Sequence, residues 1–293
     1  MWLIKKAVIT AGGSRQRLIP LQTLVDRDGV AKSALRIILE EVISTGIRSI
    51  AIIVHPGDEA SYEEAAGPLE ADLTFITQNE PLGYAHALTL AEKFVAGEPF
   101  LHLVSDHLYV SSGTKRCAQK LVETASAEEC SISAVQPTRE WQLKNFGAVS
   151  GKLESGRKGL YRVNYVIEKP TPTEAEQKLI APGLRSGMYL CLFGMHVFSP
   201  TMFEILLEDT RSALDKIKAS GNTNAALPDL MIPLNRLVQR ERYLAYELEE
   251  SRFNIGEKYG VHHAQTALAL AGIDRDEFLT QMTELLALRK LSH

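Results

Sequence analysis

The chain of 293 residues is poor in the features that mark secreted, membrane-spanning or nucleic-acid-binding proteins. It has only three cysteines. Cys117, Cys130 and Cys191 are odd in number and far apart, so no disulfide framework and no zinc-ligand spacing is present. Reduced, buried thiols in a cytoplasmic protein are the expectation. No stretch approaches the roughly 18 consecutive apolar residues of a membrane helix. The opening MWLIKKAVITAGG is apolar over too short a run and lacks a small-residue cleavage site, so no signal peptide is expected. Basic residues do not outnumber acidic ones: Lys and Arg total 32, Asp and Glu 36, for a net charge of −4. Without a basic excess or a polybasic run, neither nucleic acid nor a membrane surface is indicated as a partner. Internal repeats, low-complexity segments and a Pro-, Gly- or Ser-rich linker are also missing.

What remains is ordinary globular composition, 45% hydrophobic and 23% charged. The length allows one large domain or two small ones, at roughly 150 residues each. A chain this long buries about three-quarters of its unfolded surface and needs no covalent staple. Its first half alternates apolar runs with helical spacing. Ala7–Thr10, Ile50–Val54, Leu73–Thr77 and Phe100–Val104 read as buried strands. Lys32–Thr45 places Leu35, Ile38, Leu39 and Val42 at helical intervals and stops at Gly46, and Tyr84–Phe94 reads as a second helix. Strands buried on both faces and separated by helices predict a parallel sheet. Beyond about residue 130 the texture turns β-rich, so a mixed sheet is expected there. Two late helices follow, near Pro228–Arg240 and Lys258–Ala271. The tail, Asp274–Leu291, starts at an Asp cap and sets Phe278, Met282, Leu285 and Leu286 on one face. It predicts an amphipathic helix packed on the body or on a second subunit, so a homo-oligomer is open.

Several segments have the residue types that chemistry needs. The loop after the first strand, Ala11-Gly12-Gly13-Ser14-Arg15-Gln16-Arg17, lets backbone amides approach a phosphate and adds cationic donors. It fits neither a Walker loop nor the dinucleotide fingerprint, which argues against a nicotinamide-dependent dehydrogenase. Gln78 offers both a donor and an acceptor to a base edge, and Gly83 would let a flat base lie on the backbone. Asp106 stands at the end of the strand Leu101–Val104, where open α/β sheets bind ligands, and a carboxylate there suits Mg²⁺. Ser105, Asp106 and His107 are adjacent, which does not make a triad, because a triad is spatial. Glu168 and Lys169 place an acid and a base on opposite faces at a strand end. Asn254 precedes a late helix whose His262 and His263 point to different faces, against a metal site there.

Taken in order, these segments resemble the sugar-1-phosphate nucleotidyltransferases, nearest to the bacterial UTP–glucose-1-phosphate uridylyltransferases. The likeness runs from about Lys6 to Ala264. AGGSRQRLIP is similar to the family's A-x-G-x-G-T-R-x-x-P loop, and ALRIILEEVISTGI to the helix after it. QNEPLGYAHAL is similar to its base-binding segment, LVSDH to its metal-bearing strand end and FGAV to its sugar-binding Y-G-x-V. VIEKP resembles V-x-E-K-P, and RFNIGEKYGVHHA the late R-Y-D-x-G segment. The resemblance implies a Rossmann-like α/β fold with a mixed, mainly parallel central sheet and an embedded β-rich sugar-binding lobe. Residues 1–272 would form that domain and 273–293 a C-terminal helix.

The resemblance also implies the reaction: a nucleoside triphosphate, UTP first, and a sugar 1-phosphate, glucose 1-phosphate first, give a nucleotide sugar and pyrophosphate with Mg²⁺. By position, Ala11, Gly12 and Gly13 would cradle the triphosphate, with Arg17 and Lys32 at the leaving pyrophosphate. Gln78 and Gly83 would take the base, Asp106 and Asn254 the metal, Gly147 and Glu168 the hexose, and Lys169 the sugar phosphate. The chain departs from the pattern in places. Arg15-Gln16 stands near the usual G-T, Thr23–Lys32 is short, and Asn254 replaces a second metal-binding Asp. Asn224-Ala225-Ala226-Leu227-Pro228-Asp229 replaces E-x-Q-L-T-D. These changes leave open another sugar, low activity, or a binding protein of the same fold that senses nucleotide sugars.

Overall fold

Apolar runs buried on both faces build the centre of the molecule. The computed structural model describes residues 2–13, 17–80, 82–111, 113–220 and 229–288. Strand β1 (Lys6–Thr10) is followed by a small antiparallel hairpin, β2 (Thr23–Val25) and β3 (Ala31–Ser33), and by helix α1 (Ala34–Ile43). Then come β4 (Ser49–Val54), α2 (Glu59–Ala66), β5 (Asp72–Thr77), α3 (Tyr84–Thr89), α4 (Glu92–Val95) and β6 (Phe100–Val104). Next are β7 (His107–Val110), α5 (Cys117–Glu128), β8 (Ser131–Arg139), β9 (Gly147–Leu153), β10 (Leu160–Glu168) and α6 (Pro172–Lys178). The chain continues through β11 (Met188–Phe198), α7 (Pro200–Ser220), α8 (Met231–Arg240), β12 (Tyr243–Glu247), β13 (Ser251–Asn254), α9 (Gly260–Leu270) and α10 (Arg275–Leu288).

Nine of these strands form one sheet in the order β5-β4-β1-β6-β11-β8-β12-β10-β9. The β5-β4-β1-β6 part is parallel, and β12 runs parallel to β8. The remaining pairings are antiparallel, so the sheet is mixed. Strand alternation serves two cores. Ala7, Ile9, Ile50, Ile52 and Val54 face the layer of α1, α2 and α5, and Val8, Ala51 and Ile53 face that of α3, α7 and α8. Each fully buried Leu or Ile contributes roughly 1.5–3 kcal/mol. A small separate cluster, with Leu143, Ala148, Ala175, Leu179, Tyr189 and Cys191, fills the β-rich lobe.

Three local expectations shift. Helix α1 begins at Ala34 rather than Lys32, because Lys32 and Ser33 pair into β3 and the Ser33 hydroxyl caps the helix by accepting from the Arg36 amide (2.9 Å). The helix expected over Tyr84–Phe94 breaks at Leu90–Ala91, where the amides turn to carbonyls three residues back and Thr89 Oγ1 donates to His86 O. The late helices begin at Met231 and Gly260, within the expected segments.

The tail helix α10 contacts α9, yet none of its residues is buried, and Leu285, Leu286 and Leu288 are exposed. Residues 289–291 of the expected helix lie outside the described residues. All three cysteines are free and buried, and no helix among the described residues is long and apolar enough to cross a membrane.

β7 and β13 make a two-stranded ribbon outside the main sheet, pairing His107 with Asn254 and Tyr109 with Arg252. The ribbon is fastened to an irregularity in β11. Tyr109 Oη donates to Gly194 O (2.8 Å) and an Arg252 guanidinium nitrogen to Leu192 O (2.6 Å). Gly194 has φ +74°, and a side chain there would fall 2.7 Å from Val104 Cγ2. Only glycine takes that backbone and that space without strain.

Candidate active site

β1 lies between β4 and β6, so the chain departs from it to either side, and a crevice opens at the carboxyl ends of the strands. A cleft of about 530 Å³ occupies this place. Its floor is the turn after β1: Ala11, Gly12 and Gly13 line it, and the Ala11 amide is held by Ile53 O (2.8 Å). Ser14, Arg15 and Gln16 lie outside the described residues.

The end of β5 supplies one wall. Gln78 is buried, its backbone amide donates to Val54 O (2.9 Å), and its side-chain Nε2 donates to Gly83 O (3.2 Å). The amide is thereby oriented, with Oε1 toward Gly12. His86 Nδ1 lies 3.4 Å from the same Nε2, and burial pushes the His86 pKa down, favouring a neutral ring that can accept there. Gly83 and Tyr84 complete this wall. Tyr84 is held from below: its hydroxyl donates to His102 Nε2 (2.5 Å), because His102 Nδ1 must donate to Val8 O (2.9 Å). Burial pushes the His102 pKa down to about 4, so the ring is neutral and keeps this tautomer.

The end of β6 brings Ser105, Asp106 and His107 into the cleft, and the ribbon pairing brings Asn254 beside them. Asp106 O accepts from the Ile255 amide (2.8 Å), and Asp106 Oδ1 lies 2.8 Å from His107 Nδ1. Asn254 Oδ1 accepts from the Gly256 amide (2.9 Å). No cluster of three metal-ligating His, Cys, Asp or Glu occurs among the described residues. One carboxylate and one amide oxygen beside a glycine turn still fit Mg²⁺, which keeps waters and takes phosphate oxygens rather than a full protein cage.

The opposite wall comes from the β-rich lobe. Glu168 and Lys169 line the cleft, their charged groups 3.5 Å apart. Burial pushes the Glu168 carboxyl above the ordinary glutamate range; Lys169 opposes this and Asp229 adds to it. Lys169 adopts φ +45°, an unusual backbone for a residue with a side chain, and its amide donates to Phe146 O (3.1 Å). Gly147 does not line the cleft; it is buried beside Glu168, its partner in the β9–β10 ladder.

Ala11, Gly12, Gly13, Gln78, Gly83, Asp106, Glu168, Lys169 and Asn254 thus meet in one cleft, whereas Arg17 and Lys32 do not line it. Arg17 is drawn away toward His55 Nδ1 (3.1 Å) and Asp58 Oδ1 (3.3 Å). Lys32 is enclosed by Asp26, Asp28 and Glu40 at 2.9, 2.6 and 2.8 Å. The short Thr23–Lys32 stretch folds as the β2–β3 hairpin and keeps the ammonium on these carboxylates. Two lining residues carried no signal of their own in sequence: Asn145, at the end of the short 3₁₀ segment Glu140–Asn145, and Tyr84. Only their neighbours in the NFGAV and LGYAHA strings pointed to them. The departures at Asn224–Pro228 lie outside the described residues.

Residues 6–228 match the sequence model of the nucleotidyl transferase family. A Bacillus subtilis (strain 168) protein, UTP–glucose-1-phosphate uridylyltransferase YngB, is 27% identical over 95% of this chain and 93% of its own length. A second protein of that strain, UTP–glucose-1-phosphate uridylyltransferase, is also 27% identical, over 88% of each chain. Among solved structures, a UDP-glucose pyrophosphorylase complexed with UDP-glucose superposes with a TM-score of 0.71 at 20% identity, over 90% of this chain and 98% of that one. A UDP-glucose pyrophosphorylase from Acinetobacter baumannii gives 0.72 at 19% identity, over 97% and 100%. At these identities the structures establish the fold.

Proposed function

Because the chain belongs to the nucleotidyl transferase family, we propose that it joins a nucleoside triphosphate, UTP by preference, to a sugar 1-phosphate, glucose 1-phosphate by preference. The products are a nucleotide sugar and pyrophosphate, and Mg²⁺ is the cofactor. The observation that carries this reading is the meeting of the glycine turn, Gln78, Asp106, Glu168 and Lys169 in one cleft although they are far apart in the chain. The names of the curated relatives support the choice of base and sugar.

In this reading an oxygen of the sugar phosphate attacks the α-phosphorus in line, and the bond to the leaving pyrophosphate breaks. Such chemistry depends on positioning and on neutralising spreading negative charge. Ala11, Gly12 and Gly13 present backbone to the triphosphate. Gln78 reads the base through its oriented amide, with Gly83 against the ring. Glu168, supported by Gly147, accepts from hexose hydroxyls, and Lys169 aligns the attacking phosphate. Asp106 and Asn254 would hold Mg²⁺, which supplies charge neutralisation to the phosphates when bound. Roles for Arg17 and Lys32 at the leaving group gain no support from their placement.

The test is pyrophosphate release from a panel of each nucleoside triphosphate with several sugar 1-phosphates and Mg²⁺. UTP with glucose 1-phosphate is expected to give product. No product from any pair overturns the reading. Calorimetric binding without product would favour instead a nucleotide-sugar sensor, the alternative that Asn254 motivates by giving a cation less charge than an Asp.

A further inference from the structure

Arg252 is a buried cation with no ion-pair partner among the described residues. It lies on β13 two residues before Asn254, so the two side chains share a face of the strand, about 7 Å apart along it. Asn254 lines the cleft, and Arg252 lies behind it with 8% of its surface exposed. The guanidinium sits over the Phe146 ring, 3.5 Å from the centroid, and donates to Leu192 O (2.6 Å). Its Nε is buried without a hydrogen-bond partner, and no described residue forms an ion pair with it. Burial lowers its pKa to about 10, with Glu257 among the weaker opposing influences, so it stays charged at neutral pH.

An unpaired buried charge is costly. Phe146 connects this one to the cleft. Its carbonyl takes the Lys169 amide (3.1 Å), and its ring meets His107 edge-on at 6.5 Å. It also follows Asn145 directly in the chain. Among the described residues that line the cleft, Lys169 is the sole lysine or arginine, and its ammonium lies 3.5 Å from the Glu168 carboxylate. Among the described residues, only Lys169 thus offers a phosphate there a side-chain cation directly, and the buried guanidinium lies behind it in the low-dielectric interior.

We propose that Arg252 is a positioning residue for the sugar 1-phosphate. Its charge acts on the bound phosphate through Phe146, and its guanidinium holds that ring, and with it the Lys169 backbone, in register with the cleft. The phosphate supplies the countercharge that no described residue pairs with Arg252. The proposal rests on the function read above, in which the sugar phosphate binds on the Lys169 side.

Arg252→Met removes the charge at similar length, and Arg252→Lys keeps it. KM for glucose 1-phosphate is expected to rise about tenfold in the Met variant, with KM for UTP and kcat little changed, and the Lys variant to recover most of the loss. Calorimetric titration with glucose 1-phosphate alone should show the same order, with thermal melting as the control for folding. Should the Met variant not fold, Arg252→Gln, which keeps a donor for Leu192 O, takes its place. An unchanged KM for glucose 1-phosphate, an equal rise for UTP, or a Lys variant no better than Met overturns the proposal. If the wild type binds glucose 1-phosphate but releases no pyrophosphate, the assigned reaction fails while the titrations still decide the role of Arg252. If the wild type binds no glucose 1-phosphate, the proposal is overturned.

Discussion

Gly12 lies directly against Gln78: a Cβ built on Gly12 would stand 2.6 Å from Gln78 Oε1 and 3.3 Å from Gln78 Cβ. The glycine at the end of β1 and the amide at the end of β5 are 66 positions apart, yet one sets the room available to the other. The amide end of Gln78 is the movable party, because the backbone at Gly12 is anchored beside the Ala11–Ile53 hydrogen bond. Gly12→Ala should therefore turn the Gln78 amide out of position rather than unfold the chain. A rise of about tenfold in KM for the nucleotide, with a small change in melting temperature, is the expected outcome. Steady-state kinetics beside thermal melting checks it, and an unaltered nucleotide KM counts against the contact as a determinant of base binding.

Asp106 is the cleft carboxylate at the end of β6, pinned through its backbone carbonyl to Ile255 and through Oδ1 to His107. Asp106→Asn keeps the shape and removes the charge. Turnover should fall about 10²–10³-fold, the scale of one lost electrostatic contact to the reacting phosphates. The Mg²⁺ concentration for half-maximal rate should rise with it. Equal turnover in the variant and wild type would remove Asp106 from the mechanism.

Lys32 is held by three carboxylates, of which Asp26 is buried and has an oxygen without a hydrogen-bond partner. Burial alone would lower the Lys32 pKa, but the hydrogen bonds that its ammonium donates to Asp28, Glu40 and Asp26 raise it well above the ordinary lysine value. Lys32→Met leaves Asp26 buried beside other acids. A stability loss of about 2–3 kcal/mol is expected, measured by denaturant unfolding, with KM values near those of the wild type. The reverse pattern, a stable variant with impaired kinetics, would restore the leaving-group role that the family likeness implies.

Burial raises the Glu168 pKa above 4.5 in the folded chain. The folded state therefore retains a proton at a pH where the unfolded chain has lost it. Stability on this account is greatest below the ordinary glutamate value, declines as pH rises through the elevated folded value, and is level above that. Glu168→Gln removes the slope, so the variant should melt higher than the wild type near neutral pH and converge with it in acid. The same change replaces an acceptor with a donor toward the sugar and should raise KM for the sugar 1-phosphate. Melting curves across the acid-to-neutral range, with kinetics at neutral pH, test both; a variant that melts lower near neutrality contradicts the raised pKa.

Much of the site was legible because its parts are local strings. AGG after a strand, QNEPLG after another and VIEKP at a third strand end each hold their cleft-lining residues within a short span. The strands themselves were legible from continuous apolar runs such as Ile50–Val54, which only a sheet covered on both faces buries. Other features were not legible, since they depend on partners remote in sequence. Nothing near Lys32 announces that Glu40, nearly two turns into the following helix, will take its charge. Nothing near Arg252 announces that Phe146 will lie beneath it.

Apolar periodicity and turn residues, acting over spans of ten residues or so, determined on their own that this is an alternating α/β chain with glycine turns and carboxylates at strand ends. Tertiary structure alone decided which charges meet. Lys32 sits in a cage of acids, Lys169 faces the cleft, and Arg252 lies buried with an aromatic ring and a carbonyl for company. The physical reason is range: a propensity is set by a residue and its near neighbours, whereas an electrostatic environment is set by whatever the folded backbone brings within a few ångströms.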